Sequence, residues 1–187
     1  MTRTGWVSRS MRSIGQGHHP GMVFRKDFYL GVSSSIMDVA NLSFRAFSLA
    51  TEDPDRVERA LRFVSGAEEI KRSTSSGYHG NPIIIMEAKI TDSKGIKAVF
   101  RSLGRQELER FLDTLDRRLD EDSFFFFRLD KQEAYLGNMR SGDGDDIIAV
   151  RAKVKSYPQN RENALASMEK FLRSEIERIS RLEADEK

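Results

Sequence analysis

A run of four consecutive phenylalanines, residues 124–127, constrains this chain more than any other feature. Side chains of a β-strand point alternately to its two faces, so this run places large apolar rings on both faces of one strand. Such a strand is tolerated where both of its faces are buried or where helices cover them. The run therefore predicts a strand that is covered on both sides.

The sequence that follows this run, RLDKQEAYLG, becomes polar abruptly. Asp130 is a favourable N-cap residue, and residues 131–136 are long enough for one or two helical turns. Gly137 tolerates the left-handed conformation in which helices commonly end. The segment predicts a short surface helix directly after the strand, which the fold alone does not require.

Three side chains converge on this predicted helix. Lys131 and Gln132 stand four and three positions before Tyr135, so they share one surface with it. A cation, an amide and an aromatic ring can hold a phosphate, read a base edge and stack on a base, so we predict that all three contact RNA. The alternative is structural, with Tyr135 packed on the core and Lys131 paired with Asp130 or Glu133. The amide of Gln132 favours function because a short exposed turn has no evident structural need for it.

Strand and helix patterns recur along the rest of the chain. Asp53 and Pro54 form an N-cap and first-turn proline, and Asn160 caps a final helix. The order is strand, helix, strand, strand, helix, helix, strand, strand, helix. This order predicts an α+β fold with a mostly antiparallel sheet, helices packed on one face and the other face free. Other predicted elements are a polar edge strand over residues 69–75, a strand over 83–90, a helix over 105–120 and a strand over 147–157.

Charge is unevenly distributed between the N-terminal segment and the rest of the chain. Residues 1–36 carry five basic side chains and one aspartate, a net charge of +4, whereas the whole chain carries +2 and residues 37–187 therefore −2. The first segment is rich in Gly and Ser without apolar periodicity, so we predict that residues 1–36 are a disordered basic extension. We predict that residues 37–182 form a single α+β domain of RNA-binding type, in which any nucleic-acid contact must rest on a local patch.

A basic stripe marks the last predicted strand. Arg151, Lys153 and Lys155 alternate with apolar residues, so their side chains share the face of the sheet away from the core. Successive positions on one strand face are about 7 Å apart, a spacing that suits successive phosphates of one nucleic-acid strand. We predict that these cations contact RNA and that Arg45, on the first strand, shares their face. The alternative is a plain solvated surface.

Little in the sequence is typical of an enzyme or a metalloprotein. His79 lies in a turn sequence and has no serine, cysteine or carboxylate partner at a fixed spacing. Asp143, Asp145 and Asp146 superficially resemble a calcium loop but lack the distal glutamate of an EF-hand. Gly-rich phosphate motifs do not occur. We therefore predict no catalysis, no cofactor, no metal site and no small-molecule substrate.

Apolar runs and cysteines bear on the location of the chain. The longest apolar run is far shorter than the roughly 18 residues of a membrane helix, and the basic N-terminus lacks the apolar block of a signal peptide. The chain contains no cysteine, which excludes disulfides and thiolate chemistry. A cytoplasmic protein without a membrane partner is the resulting prediction.

Three segments carry a resemblance to a known family: RLDKQEAYLG, GNPIII at residues 80–85 and AVRAKVKSYPQNRENAL at residues 149–165. Together they resemble an archaeal family described as RNA-binding proteins and predicted exosome subunits, over residues 41–171. The resemblance implies a fold similar to the large-subunit ribosomal protein that binds 5S rRNA. The chain departs from the family at Glu133, where a small apolar residue is expected, and residues 1–36 have no counterpart in the family.

Two functions follow from these observations. The first is a non-catalytic RNA-binding protein in exosome-associated RNA processing or in ribosome-related metabolism, with RNA and proteins of those assemblies as partners. The alternative is a protein-interaction subunit that docks onto an RNA-processing complex without direct RNA contact. The net charge of −2 over residues 37–187 favours this alternative.

Overall fold

The structure, a computed structural model, describes residues 38–77 and 80–185. The extension predicted at residues 1–36 and the turn histidine His79 lie outside the described residues. The elements in chain order are β1 (Val39–Ser48), α1 (Pro54–Ser65), β2 (Lys71–Ser76), β3 (Pro82–Ile90), α2 (Ser93–Ser102), α3 (Arg105–Asp113), α4 (Leu115–Arg118), β4 (Phe124–Asp130), α5 (Lys131–Tyr135), β5 (Ile147–Val154) and α6 (Arg161–Asp185).

The strands form a five-stranded sheet in the order β2-β3-β1-β5-β4, and every neighbouring pair is antiparallel. Strand β1 lies at its centre, with Phe44 opposite Ala88 of β3 on one side and Val150 of β5 on the other. The predicted α+β fold with a mostly antiparallel sheet is confirmed. The all-exposed β2 forms one edge, as its polar sequence predicts.

The core lies between one face of this sheet and the helices. Alternate strand residues such as Phe44, Met86 and Ile148 point to that face and are buried. Aromatic rings join the two layers, with the Phe111 and Phe125 centroids 5.5 Å apart in an edge-to-face arrangement. Each buried ring of this kind stabilises the fold by about 1.5 to 3 kcal/mol. Helices of the described segments pack on this face, which leaves the opposite face of the sheet open.

Capping residues begin the helices where the sequence predicts. The Asp53 carboxylate accepts a hydrogen bond from the backbone N–H of Asp55 at 3.0 Å, and Pro54 follows it in the first turn of α1. The side chain of Asn160 accepts one from the N–H of Asn163 at 2.7 Å, before α6. Each cap satisfies a helix N–H that has no partner within the helix and contributes about 1 kcal/mol.

Several helix and strand ends differ from the predicted ones, with β2 and β3 shifted by one or two residues. The helix expected over residues 105–120 is two helices, because the chain leaves helical geometry at Thr114, with φ at −112°. The Thr114 hydroxyl donates to the carbonyl of Arg110 at 2.7 Å, a bond that competes with regular helix geometry at this β-branched residue. Strand β5 ends at Val154 instead of residue 157.

The strand with four phenylalanines, β4, is covered on one face only. It lies at an edge of the sheet, where Phe125 and Phe127 are buried in the core. Phe124 is half-buried and Phe126 is 40% exposed, and both point to the open face. The prediction that both faces are covered is wrong, because the helices pack on one side of the sheet. Two aromatic rings are therefore presented on the face away from the core.

Candidate nucleic-acid interface

The open face of the sheet forms a groove of about 860 Å³ with side chains from all five strands. We call it the sheet groove. Its ionisable lining residues are five cations and two carboxylates, so the groove carries a net charge of +3. The cations are Arg45, Lys71, Lys89, Arg151 and Lys153, and the carboxylates are Glu69 and Glu87.

Cations and aromatic rings alternate across β4 and β5 because the two strands pair in register. Arg151 is opposite Phe126, and Lys153 is opposite Phe124. The guanidinium carbon of Arg151 lies 3.4 Å from the centroid of the Phe124 ring and 5.5 Å from that of Phe126. The ammonium of Lys153 lies 4.4 Å from the Phe124 centroid. Cation–π attraction thus holds both cations over aromatic rings at the surface, and the Lys153 ammonium also donates to the backbone carbonyl of Asp122.

Arg45 shares this face, as predicted, but it already has a partner. Its Nε atom donates to Oε1 of Glu87 at 2.8 Å, across the β1–β3 pair. Both side chains are largely exposed, so the pair adds little to stability. It does offset the positive charge of Arg45 within the sheet groove. Arg151 and Lys153 therefore supply the cationic surface nearest to the exposed rings.

Lys155 lies one residue beyond the end of β5 and is exposed. Its backbone N–H donates to the carbonyl of Asp38 at 2.7 Å, which extends the β1–β5 pairing locally. The structure therefore brings Arg45, Arg151 and Lys153 together in the sheet groove and places Lys155 just past its end.

The side chains predicted on α5 lie elsewhere, beginning with Lys131. This lysine is only 6% exposed. Its ammonium lies 2.7 Å from Oε1 of Glu52 and 2.6 Å from Oδ1 of Asp146, and it donates to the carbonyl of Phe47 at 2.9 Å. Lys131 therefore ties three chain segments together, although its partners are not the Asp130 or Glu133 of the structural alternative.

Gln132 belongs to the same network. Its amide donates to Oδ2 of Asp146 at 2.7 Å. Burial raises the pKa of Asp146, but hydrogen bonds from Lys131 and Gln132, with the charge of Lys131, outweigh this and hold that pKa below its ordinary value. The amide thus has a structural partner, which the sequence did not reveal.

Tyr135 faces α1 and not the sheet groove. The guanidinium carbons of Arg56 and Arg59 lie 5.7 and 5.3 Å from the centroid of its half-buried ring. Lys131 and Gln132 contact Asp146, one residue before β5 begins, whereas Lys155 follows the end of that strand. At about 3.4 Å per residue, Asp146 lies about 17 Å from Arg151 and about 31 Å from Lys155 along the chain.

Sequence reasoning missed several residues of the sheet groove. Phe124 and Phe126 were expected to be covered. Asn41 and Ser43 of β1 are half-buried and lie opposite Lys153 and Arg151, across β5 from the two rings. The alternation of β1 was a usable signal, since it places both residues on the same face as Arg45.

Neither a metal centre nor a membrane span is found in the parts of the chain that the structure describes. No group of three or more His, Asp or Glu side chains there is placed to hold a metal ion. Asp143 and Asp145 are exposed, and Asp146 is engaged by Lys131. No helix among residues 38–77 and 80–185 is long and apolar enough to cross a membrane.

Comparisons with known proteins agree on one family. A family model described as RNA binding matches residues 41–154. The RNA-binding protein PAB1135 of Pyrococcus abyssi is 32% identical over 145 residues, which cover 72% of this chain and 94% of that protein.

Solved structures are similar over the same part of the chain. The crystal structure of protein AF2318 from Archaeoglobus fulgidus has a TM-score of 0.62 at 34% identity and covers 73% of this chain and 99% of its own. Mth689, a DUF54 protein from Methanothermobacter thermautotrophicus, has a TM-score of 0.62 at 32% identity and covers 72% of this chain and 98% of its own. This chain therefore belongs to the RNA-binding family whose solved structures are described as DUF54 proteins.

Proposed function

We propose that this protein binds RNA, without catalysis, through the sheet groove. The observation that carries the proposal is the local charge of the groove. Its lining has a net charge of +3, although residues 37–187 together carry −2. Cations gathered on one concave surface attract the phosphate backbone even when the protein as a whole does not.

The aromatic side chains of the groove support the same function. RNA-binding sheets present aromatic rings on an open face, where unstacked bases stack on them, with cations beside the rings for the phosphates. Phe124 and Phe126 occupy such positions next to Arg151 and Lys153. Two neighbouring apolar rings on one surface are more typical of a binding site than single exposed apolar residues are. Family membership points to the same partner.

The α5 side chains are given a different role in this proposal. Lys131 and Gln132 both bind Asp146, and Lys131 also binds Glu52 and the carbonyl of Phe47. These contacts stabilise the fold near the start of β5. Lys155 remains a phosphate contact because it is exposed next to the end of β5.

The resemblance seen in the sequence supports a setting in exosome-associated RNA processing or ribosome-related metabolism. Co-purification of RNA-processing proteins or ribosomal subunits with the tagged chain tests that setting.

The test of the function is a salt titration of RNA affinity. A variant with Arg151, Lys153 and Lys155 replaced by Ala is compared with wild type by fluorescence anisotropy on labelled RNA. Each lost phosphate contact lowers the slope of log K against log salt by about one, so we expect a reduction of roughly 2 to 3. The cation–π contacts of Arg151 and Lys153 are worth only about 0.5 to 1 kcal/mol each, so the melting temperature should fall by no more than a few degrees.

A matched control removes the same charge from the helix side. Lys94, Arg117 and Arg178 are exposed on α2, α4 and α6, and their replacement by Ala should leave the salt slope within about 0.5 of wild type. Equal losses in the two triple variants would show that attraction is diffuse and not centred on the groove. Wild type that fails to bind RNA at low salt would favour docking onto a complex without direct RNA contact.

A further inference from the structure

We infer that the RNA held by the sheet groove is unpaired, with one base stacked on the Arg151–Phe124 pair and the neighbouring base stacked on Phe126. This inference rests on the proposed function and adds the class of RNA. It follows from the spacing of the rings, from the size of the groove and from the exposure of Phe126.

The distance between the two rings is too large for bases that stay stacked on each other. The Phe124 and Phe126 centroids lie 6.5 Å apart, with 43° between the ring planes. Bases stacked within a nucleic-acid helix rise by about 3.4 Å per nucleotide along each strand. The rings are thus separated by nearly two base steps and are not parallel, and the guanidinium carbon of Arg151 that covers Phe124 is also more than one base step, 5.5 Å, from the Phe126 centroid. Neighbouring bases that each take one platform must leave their mutual stack, which a duplex resists.

The size of the groove suits one or two unpaired nucleotides. Its volume of about 860 Å³ is within the range of pockets that enclose a single drug-sized molecule, about 300 to 1,000 Å³. It therefore has room for one or two nucleotides with splayed bases. Sequence-selective proteins take RNA in this way from single strands, loops and bulges, because their bases can be turned outward.

The two platforms differ in what already covers them. The Arg151 guanidinium lies over Phe124, so a base on that platform meets the flat guanidinium and stacks on it. Phe126 is 40% exposed and offers its ring directly. Asn41 and Ser43 border the first platform and supply an amide and a hydroxyl within the groove. Amides and hydroxyls read base edges and the ribose 2′-OH, which favours RNA over DNA at this position.

The test compares unpaired and paired RNA on the full chain. Anisotropy titrations use a labelled 10-nucleotide RNA without self-complementarity and the same sequence as a blunt RNA duplex. Phe126→Ala should weaken binding of the unpaired RNA by about 5- to 150-fold, the range for one lost base stack. The same variant should change duplex affinity by less than about 2-fold, because a paired base does not reach the ring.

A matched aromatic control is available on α1. Phe63 is 47% exposed on the helix side, so Phe63→Ala removes an equally accessible ring and should leave both affinities unchanged. A spectroscopic readout adds a direct view of the bases. RNA with two adjacent 2-aminopurines gives a coupled circular dichroism signal while the two bases stack, and that signal should disappear when wild type binds.

Three outcomes overturn the inference. A duplex that binds as tightly as the unpaired strand, an unchanged affinity in Phe126→Ala, or a retained 2-aminopurine signal each shows that the bases do not splay on the rings. If the triple replacement of Arg151, Lys153 and Lys155 still reduces the salt slope in that case, the groove binds RNA through its phosphates and only the inference fails. If wild type binds neither RNA, the proposed function fails with it.

Discussion

The guanidinium of Arg151 is stacked on the ring of Phe124, with its central carbon 3.4 Å from the ring centroid, on the face of the sheet opposite the core. Arg151 comes from β5 and Phe124 from β4, so the contact exists only because these strands are paired. It holds a charged, planar group over an aromatic ring on this face. This gives the groove a preformed surface for a base and a charge for the adjacent phosphate.

Arg151→Lys should separate the charge of this residue from its planar shape. Lysine keeps the positive charge but cannot stack as a flat fork. We expect RNA affinity to fall by about 1 kcal/mol or more through the lost stack, while the salt slope stays within about 0.5 of wild type. Arg151→Ala, measured in parallel by anisotropy, should lose the affinity and also about one unit of slope. Equal slopes in the two variants would contradict a phosphate contact at this position.

Lys131→Met should destabilise the fold and leave the groove intact. The change removes the partner of two carboxylates, and breaking a buried ion pair costs about 3 to 5 kcal/mol. The Asp146 side chain is 43% exposed, so solvent weakens the pair. We therefore expect the free energy of unfolding, measured with urea, to fall by about 2 to 3 kcal/mol.

Lys94→Met is the control for that variant, since Lys94 is exposed on α2, and its effect should stay within about 0.5 kcal/mol. RNA affinity measured where both variants are folded should match wild type. A Lys131→Met variant that is as stable as wild type but binds RNA more weakly would show that Lys131 contacts RNA.

Acid should remove the contribution of Asp146 to stability. The folded-state pKa of Asp146 lies below its ordinary value of 3.8, because hydrogen bonds from Lys131 and Gln132 and the charge of Lys131 outweigh the effect of burial. Its stabilising contribution is therefore complete above about pH 4 and is lost as the pH falls through the folded-state pKa.

Unfolding free energies of wild type and Asp146→Asn between pH 2.5 and 7 test this sign. The difference between the two proteins should shrink below about pH 4. Asp38, whose pKa is raised by burial, acts in the opposite direction, but it is present in both proteins and drops out of the comparison. A difference that is constant over this range would show that Asp146 ionises alike in the folded and unfolded chain.

Truncation of two neighbouring phenylalanines of β4 should destabilise the fold to very different extents. Phe125 is fully buried against Phe111, so Phe125→Ala should cost about 3 to 5 kcal/mol through lost burial and a cavity. Phe126→Ala removes an exposed ring and should cost less than about 1 kcal/mol. Thermal unfolding of both variants provides the measurement. Similar losses would mean that the open face is covered by something in the folded protein.

Much of the fold follows from the sequence because its signals are local. Asp53, Asp130 and Asn160 cap helices through backbone groups two or three residues away, so neighbouring residues suffice to predict them. Alternation fixes which strand residues share a face, and it correctly separates Met86 from Glu87. The predicted position of Arg45, Arg151 and Lys153 on one open face rests on the same periodicity and is confirmed.

The tertiary structure decided what periodicity leaves open. Four consecutive phenylalanines show that two rings point each way, but only the packing of helices on one side exposes Phe126 and buries Phe125. The partners of Lys131 come from segments distant along the chain, at Glu52 and Asp146, so its burial has no local signature. The local pattern determines which side chains share a surface. Whether that surface faces helices, solvent or a distant carboxylate depends on long-range contacts that form when the sheet assembles.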